Sequence, residues 1–139
     1  MPYEVPVHRI LARVPERARL AYTTLITHPA SKFDPLTGCS CAYITQDALA
    51  VEMGCSLRTV KRAVADLQEL GVAKVLAWAG ATTEVVVRVT DVRVDSVFGP
   101  MQAFLASLPP EQLDTFAVQL LRDQWAEFDA ELLRGRSDD

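Results

Sequence analysis

Residues 44–71 read Ile44-Thr45-Gln46-Asp47-Ala48-Leu49-Ala50-Val51-Glu52-Met53-Gly54-Cys55-Ser56-Leu57-Arg58-Thr59-Val60-Lys61-Arg62-Ala63-Val64-Ala65-Asp66-Leu67-Gln68-Glu69-Leu70-Gly71. Two helical patterns meet here at a tight turn. Thr45 has the right chemistry for an N-cap, because its hydroxyl can accept a hydrogen bond from a free N–H of the first turn. Leu49, Ala50 and Met53 then share one face. Gly54 stops this helix: an abrupt stop needs a left-handed residue, and glycine takes that conformation without a Cβ clash. Ser56 caps the next helix. Val60, Val64 and Leu67 recur at helical spacing with Ala63 beside them, so these face inward. Arg58, Lys61, Arg62 and Ala65 face outward. The small Ala50 lets the two helices cross closely, Val60 plugs the second onto the first, and Gly71 ends the second.

The chain has 139 residues, half of them hydrophobic, enough for one domain and an appendage. No run is long and apolar enough to span a bilayer, and the N-terminus lacks a signal-peptide pattern, so a cytoplasmic protein is expected. The formal net charge is −4, but it is unevenly spread. Residues 1–90 hold ten Lys/Arg against eight Asp/Glu, a net of +2, and residues 91–139 hold four against ten, a net of −6. A basic helix in the first part can still attract phosphate, since charges more than about 10 Å away are largely screened. The acidic end would weaken non-specific attraction to any polyanion. Cys39 and Cys41 stand too close together for a zinc knuckle, and no second Cys/His pair stands at ligand spacing. His28 is the nearest candidate partner. Three reduced thiols are expected, with Cys55 a small buried residue in the turn; a redox or metal role is the alternative.

Along the chain, residues 1–7 carry two prolines and read as an extended arm, and residues 8–13 are short and mixed. Pro15 and Glu16 suit the first turn of a helix. Ala18, Leu20, Ala21, Leu25 and Ile26 extend its apolar stripe to about His28, with Tyr22 in the core. Residues 30–41, with Pro35 and Gly38 as breakers, read as loop. In it Lys32 is either solvated or reaches a phosphate. Residues 42–44 suit a short strand. Residues 72–78 and 83–94 suit the two arms of a β-hairpin around a turn near Gly80. Residues 100–108 are a short helical candidate stopped by Pro109-Pro110. Pro110 opens a last helix, on which Leu113, Phe116, Leu120, Leu121, Trp125, Phe128 and Leu132 recur at three- and four-residue spacing. Residues 135–139 read as a disordered tail. This apolar face exceeds what a small domain readily covers, so pairing with a second copy as a homodimer is expected. Folding back onto the first helix, or contact with another protein, are the alternatives.

Gly54-Cys55-Ser56-Leu57-Arg58-Thr59-Val60-Lys61-Arg62-Ala63-Val64, followed by Leu67 and Leu70-Gly71-Val72, resembles the bacterial winged helix-turn-helix domains. Those of plasmid and phage replication initiators and of small GntR-type regulators are the most similar. The resemblance covers about residues 14–90. It implies a mainly α fold with a small β-hairpin wing (α+β), with the DNA-binding domain in residues 1–95 and a helical C-terminal extension in residues 96–139. It implies double-stranded DNA as partner, with the second helix in the major groove. Arg58 and Thr59 would then read bases, Arg58 as a guanine fork. Arg62 would meet a base or phosphate and Lys61 a phosphate. Ser56 and the free N–H groups at the helix start would hold a phosphate, and Thr45 and Gln46 would clamp the neighbouring one. Two positions depart from the family. Leu57 stands where a polar residue is common; it either touches a thymine methyl or packs against the first helix. The wing tip offers Ala79, Gly80, Thr82, Thr83 and an acidic Glu84 instead of Arg or Lys. This weakens the case for minor-groove reading and leaves phosphate contacts by Thr82 and Thr83.

The expected function is a dimeric transcriptional regulator; the alternatives are a role in plasmid or phage replication or partition, and a winged domain used for protein contacts. No enzyme, cofactor or metal is expected. There is no Gly-rich phosphate loop, nucleophile elbow or His-Glu-x-x-His pattern, His8 and His28 lack an obvious acid partner, and Tyr3, Tyr22 and Tyr43 lack the histidine pair of a replication nuclease. A small-molecule effector would need a pocket at the dimer interface.

Overall fold

A computed structural model describes residues 4–29, 31–79, 82–93 and 108–137, with backbone alone for residues 77–79, 82–83, 93 and 131–137. Among these the helices are α1 (Val7–Leu11), α2 (Glu16–Thr27), α3 (Gln46–Met53), α4 (Leu57–Glu69) and α5 (Pro110–Ser137). The strands are β1 (Glu4–Val5), β2 (Lys32–Asp34), β3 (Cys39–Thr45), β4 (Ala73–Ala79), β5 (Thr82–Arg88) and β6 (Val92–Arg93). Four strands form an antiparallel sheet in the order β2-β3-β5-β4. The fold is α+β, with a β4–β5 hairpin following the paired helices and a long helix at the C-terminal end.

Side-chain alternation sets the two faces of the sheet. Ala42 and Ile44 of β3 and Val85 and Val87 of β5 point into the core, where α2, α3 and α4 supply Ala18, Leu25, Leu49, Val60 and Leu67. The opposite face carries Cys41, Tyr43, Glu84 and Val86. Tyr22 closes one end of the core and its hydroxyl donates to the Arg88 carbonyl at 2.6 Å.

Several expectations from the sequence are corrected. Residues 30–41 are not one loop: β2 and β3 form a hairpin, with Phe33 opposite Ser40. The short strand expected at residues 42–44 extends over seven residues. It escaped notice because its inward residues before Ile44 are Ser40 and Ala42, too small to give an apolar alternation. Within the N-terminal arm Glu4 and Val5 form β1, which pairs Val5 with Val92, and residues 8–13 contain most of α1. Cys55 is half-buried rather than buried. The last helix runs through Gly135 to Ser137, where a disordered tail was expected. The helix expected at residues 100–108 and the domain boundary near residue 95 fall almost wholly outside the described residues.

The C-terminal helix returns to its own chain. Ala117 and Leu121 are fully buried, and Leu113, Phe116 and Leu120 pack half-buried against the same core. α5 lies on α1, β1 and β6, where Arg9 pairs with Asp114 at 2.6 Å. Its middle seats on the α4–β4 turn: the Trp125 indole N–H donates to the Gly71 carbonyl at 2.9 Å. The surplus apolar surface inferred for this helix is therefore partly used within one chain. Phe128 is half-buried, and the side chain of Leu132 lies outside those described.

Candidate nucleic-acid interface

The α3–turn–α4 unit is built by three local devices. The Ala48 N–H donates to the Thr45 hydroxyl at 3.0 Å, capping α3. Gly54 ends α3 in the left-handed conformation, at φ 68° and ψ 36°, while Cys55 N–H donates to the Ala50 carbonyl. The Thr59 N–H then donates to the Ser56 hydroxyl at 3.2 Å, which caps α4. Val60, Ala63, Val64 and Leu67 bury one face of α4. The opposite face presents Arg58, Lys61 and Arg62 to solvent.

The fate of the other cations gives this face its meaning. Residues 1–90 contain ten Lys and Arg. Six are engaged within the chain. Arg9 pairs with Asp114, Arg17 with Asp66 and Lys74 with Asp129. Arg13 donates to the Glu111 carbonyl and Arg19 to the Val14 carbonyl. Arg88 donates to the carbonyls of Thr37, Thr90 and Asp91. Ten less six leaves Lys32, Arg58, Lys61 and Arg62, and three of these four stand within two turns of one helix. Among the described residues none of the three is ion-paired. Each is exposed on the outer face of α4.

Other expected site residues converge on the same side. Gln46 at the start of α3 and Lys61 line one open depression of about 430 Å³, together with Gln68 and Val75. The strand register sets Thr82 opposite Thr45 and Thr83 opposite Ile44, so the hairpin tip lies next to the N-cap of α3. The side chains of Thr82 and Thr83 are outside those described. Leu57 is 37% exposed at the start of α4, so it is available to a partner rather than fully packed. Glu84 lies two residues below the tip, and its carboxylate accepts from the Cys41 thiol at 3.1 Å.

The cysteines do not gather as ligands. Among the described residues, no three His, Cys, Asp or Glu side chains come together as a metal site. His28 sits 3.3 Å from the Glu52 carboxylate. Burial pushes the Cys39 thiol up, and burial with the Glu84 carboxylate pushes Cys41 up to about 11, so both stay protonated at neutral pH. What the sequence reading missed is the space these thiols line. Between the outer face of the sheet and α5 lies a cleft of about 320 Å³ bounded by Asp34, Leu76, Glu84, Val86, Trp125 and Phe128.

No protein-family model matches the chain, and no curated protein matches its sequence. Among solved structures, a possible transcriptional regulator from Methanosarcina mazei Go1 is similar over 97% of this chain and 98% of its own, with 12% identity and a TM-score of 0.39. A likeness of that degree identifies neither fold nor function. Among the described residues no helix is long and apolar enough to cross a membrane.

Proposed function

We propose that this chain binds double-stranded DNA sequence-specifically as a winged helix-turn-helix protein and acts as a dimeric transcriptional regulator. The observation that carries the reading is the uncompensated trio Arg58, Lys61 and Arg62 on the open face of α4, in a domain that neutralises or occupies most of its other cations. In this reading α4 enters the major groove. Arg58 and Thr59 read base edges, Arg58 with the paired donors that fit guanine. Arg62 meets a base or phosphate, and Lys61 and Gln46 meet phosphates across the shared depression. Ser56 and Thr45 sit at helix starts, whose free N–H groups favour anions. The β4–β5 hairpin is the wing, and its tip contacts phosphate through Thr82 and Thr83 rather than reading the minor groove. The activity is binding without catalysis, and it needs no cofactor.

The dimer is assigned to the distal part of α5. The helix has 28 residues, about 42 Å at the usual rise per residue, and its proximal part is the one seated on the domain through Ala117, Leu121 and Trp125. The part beyond Asp129, with Leu132, supplies the contact with a second copy.

In-vitro selection from random duplex DNA tests the reading, with Arg58→Ala/Arg62→Ala as control. A palindrome with half-sites about one helical turn apart, lost in the control, is the expected result. Direct repeats would move the role to replication or partition. Failure to enrich any sequence at low salt would overturn DNA binding and leave a protein partner. Sedimentation velocity of the free protein tests the dimer separately, and a monomer at all concentrations would overturn that part alone.

A further inference from the structure

We propose that the cleft between the outer face of the sheet and α5 is a binding site for a small organic cation with an aromatic body. The proposal is independent of DNA binding by α4. The cleft has an apolar frame: Leu76 and Val86 from the sheet, and Trp125 and Phe128 from the helix. Trp125 and Phe128 meet edge to face at 89°, with ring centroids 5.9 Å apart. Aromatic faces carry the negative part of the ring quadrupole and attract cations. Trp125 is held in place, because its indole N–H is bonded to the Gly71 carbonyl. The volume of about 320 Å³ falls in the range of small-molecule sites.

Charge decides between ligand classes. Asp34 and Glu84 both border the cleft, and among the described residues neither makes an ion pair. The Asp34 carboxylate accepts from the Leu36 N–H at the turn, and the Glu84 carboxylate accepts from the Cys41 thiol. Of the cations on this face of the sheet, Arg88 has its guanidinium committed to three carbonyls, Lys74 is paired with Asp129, and Lys32, opposite Cys41, does not border the cleft. Two unneutralised carboxylates beside aromatic faces favour a cation and repel an anion. The same field is felt by Tyr43, whose hydroxyl is pushed up chiefly by the Glu84 carboxylate.

The test uses the full chain and three probes of similar size: benzyltrimethylammonium, benzyl alcohol and phenylacetate. Binding is followed through Trp125 fluorescence in a Trp78→Phe background, and through the Trp125 indole N–H resonance in the unsubstituted protein. Benzyltrimethylammonium is expected to saturate, and to bind about tenfold more tightly than benzyl alcohol, the ratio that a cation–π contact and a carboxylate together supply. Phenylacetate is expected not to bind. Glu84→Gln should weaken the cation about tenfold and leave the alcohol unchanged, whereas Phe128→Ala should weaken both. Equal affinity for cation and anion would overturn the proposal. So would an unchanged cation affinity in Glu84→Gln, or no saturable binding of benzyltrimethylammonium.

Discussion

Gly54 and Gly71 share a positive φ and have opposite surroundings. A Cβ at Gly54, where φ is +68°, would meet nothing within 4 Å. At Gly71, where φ is +75°, it would lie 2.7 Å from the Leu121 Cβ and 2.9 Å from the Arg122 amide nitrogen. Gly54→Ala should therefore cost only the left-handed strain, about 1–2 kcal/mol. Gly71→Ala adds overpacking against α5 and should cost about 1–3 kcal/mol more. Urea melts of the two variants check the difference. Tyr22 makes a second single-residue prediction. Burial pushes its pKa from the ordinary 10.0 to about 12. The folded state thus holds a proton that the unfolded chain releases first, so this contribution to stability is complete below pH 10 and is lost as pH rises toward 12. Tyr22→Phe should cost about 1 kcal/mol at neutral pH through the lost bond to Arg88, and should flatten the stability curve between pH 10 and 12 in thermal melts.

At the scale of elements, α4 and α5 are opposites: one buries a narrow stripe and leaves its cations free, the other is fastened from Leu113 to Asp129 by burial, an indole bond and two ion pairs. Arg58→Ala should lose about 1–3 kcal/mol of discrimination at one base pair, while Lys61→Ala should weaken all sequences alike and reduce the salt slope by about 1. Competition binding at several salt concentrations separates them. Leu121→Ala should cost about 2–4 kcal/mol through the cavity it leaves, read by the midpoint of denaturant unfolding. The sequence was most legible where chemistry is local. Thr45, Gly54 and Ser56 announce two helices and a turn because capping and left-handed backbone need those residue types. The β2–β3 hairpin was illegible because Lys32, Phe33 and Asp34 all remain exposed and the buried Ser40 resembles a loop residue. The face of α5 was legible as a stripe, but spacing along one helix says nothing about the sequence-distant Gly71 and Asp114–Arg9 contacts that receive it. The cleft at Glu84 and Trp125 was hidden for the same reason, since its walls come from elements far apart in the chain.

For the whole molecule, the net charge of −4 coexists with a cationic helix because the two signs occupy different places. Asp123 and Glu127 lie exposed on α5. Their neutralisation, Asp123→Asn/Glu127→Gln, should tighten non-specific DNA binding about twofold at 50 mM salt and leave it nearly unchanged at 200 mM, where screening is shorter-ranged; anisotropy titrations with a random duplex measure this. The seating of α5 has a further consequence, which concerns the order of events in time. Arg9 and Asp114 are 105 residues apart, and β1 must find β6 across most of the same chain. Closing so large a loop is entropically late, and contacts of high sequence separation slow folding. The helices and hairpin of residues 16–88 can thus assemble first, as a half-finished body whose Gly71 shelf is bare. Docking of α5 then completes it, so the change at Trp125 should track the slow phase of refolding. On the ribosome the shelf stays uncovered until the residues of α5 have been made, and over that interval its apolar surface is open to aggregation.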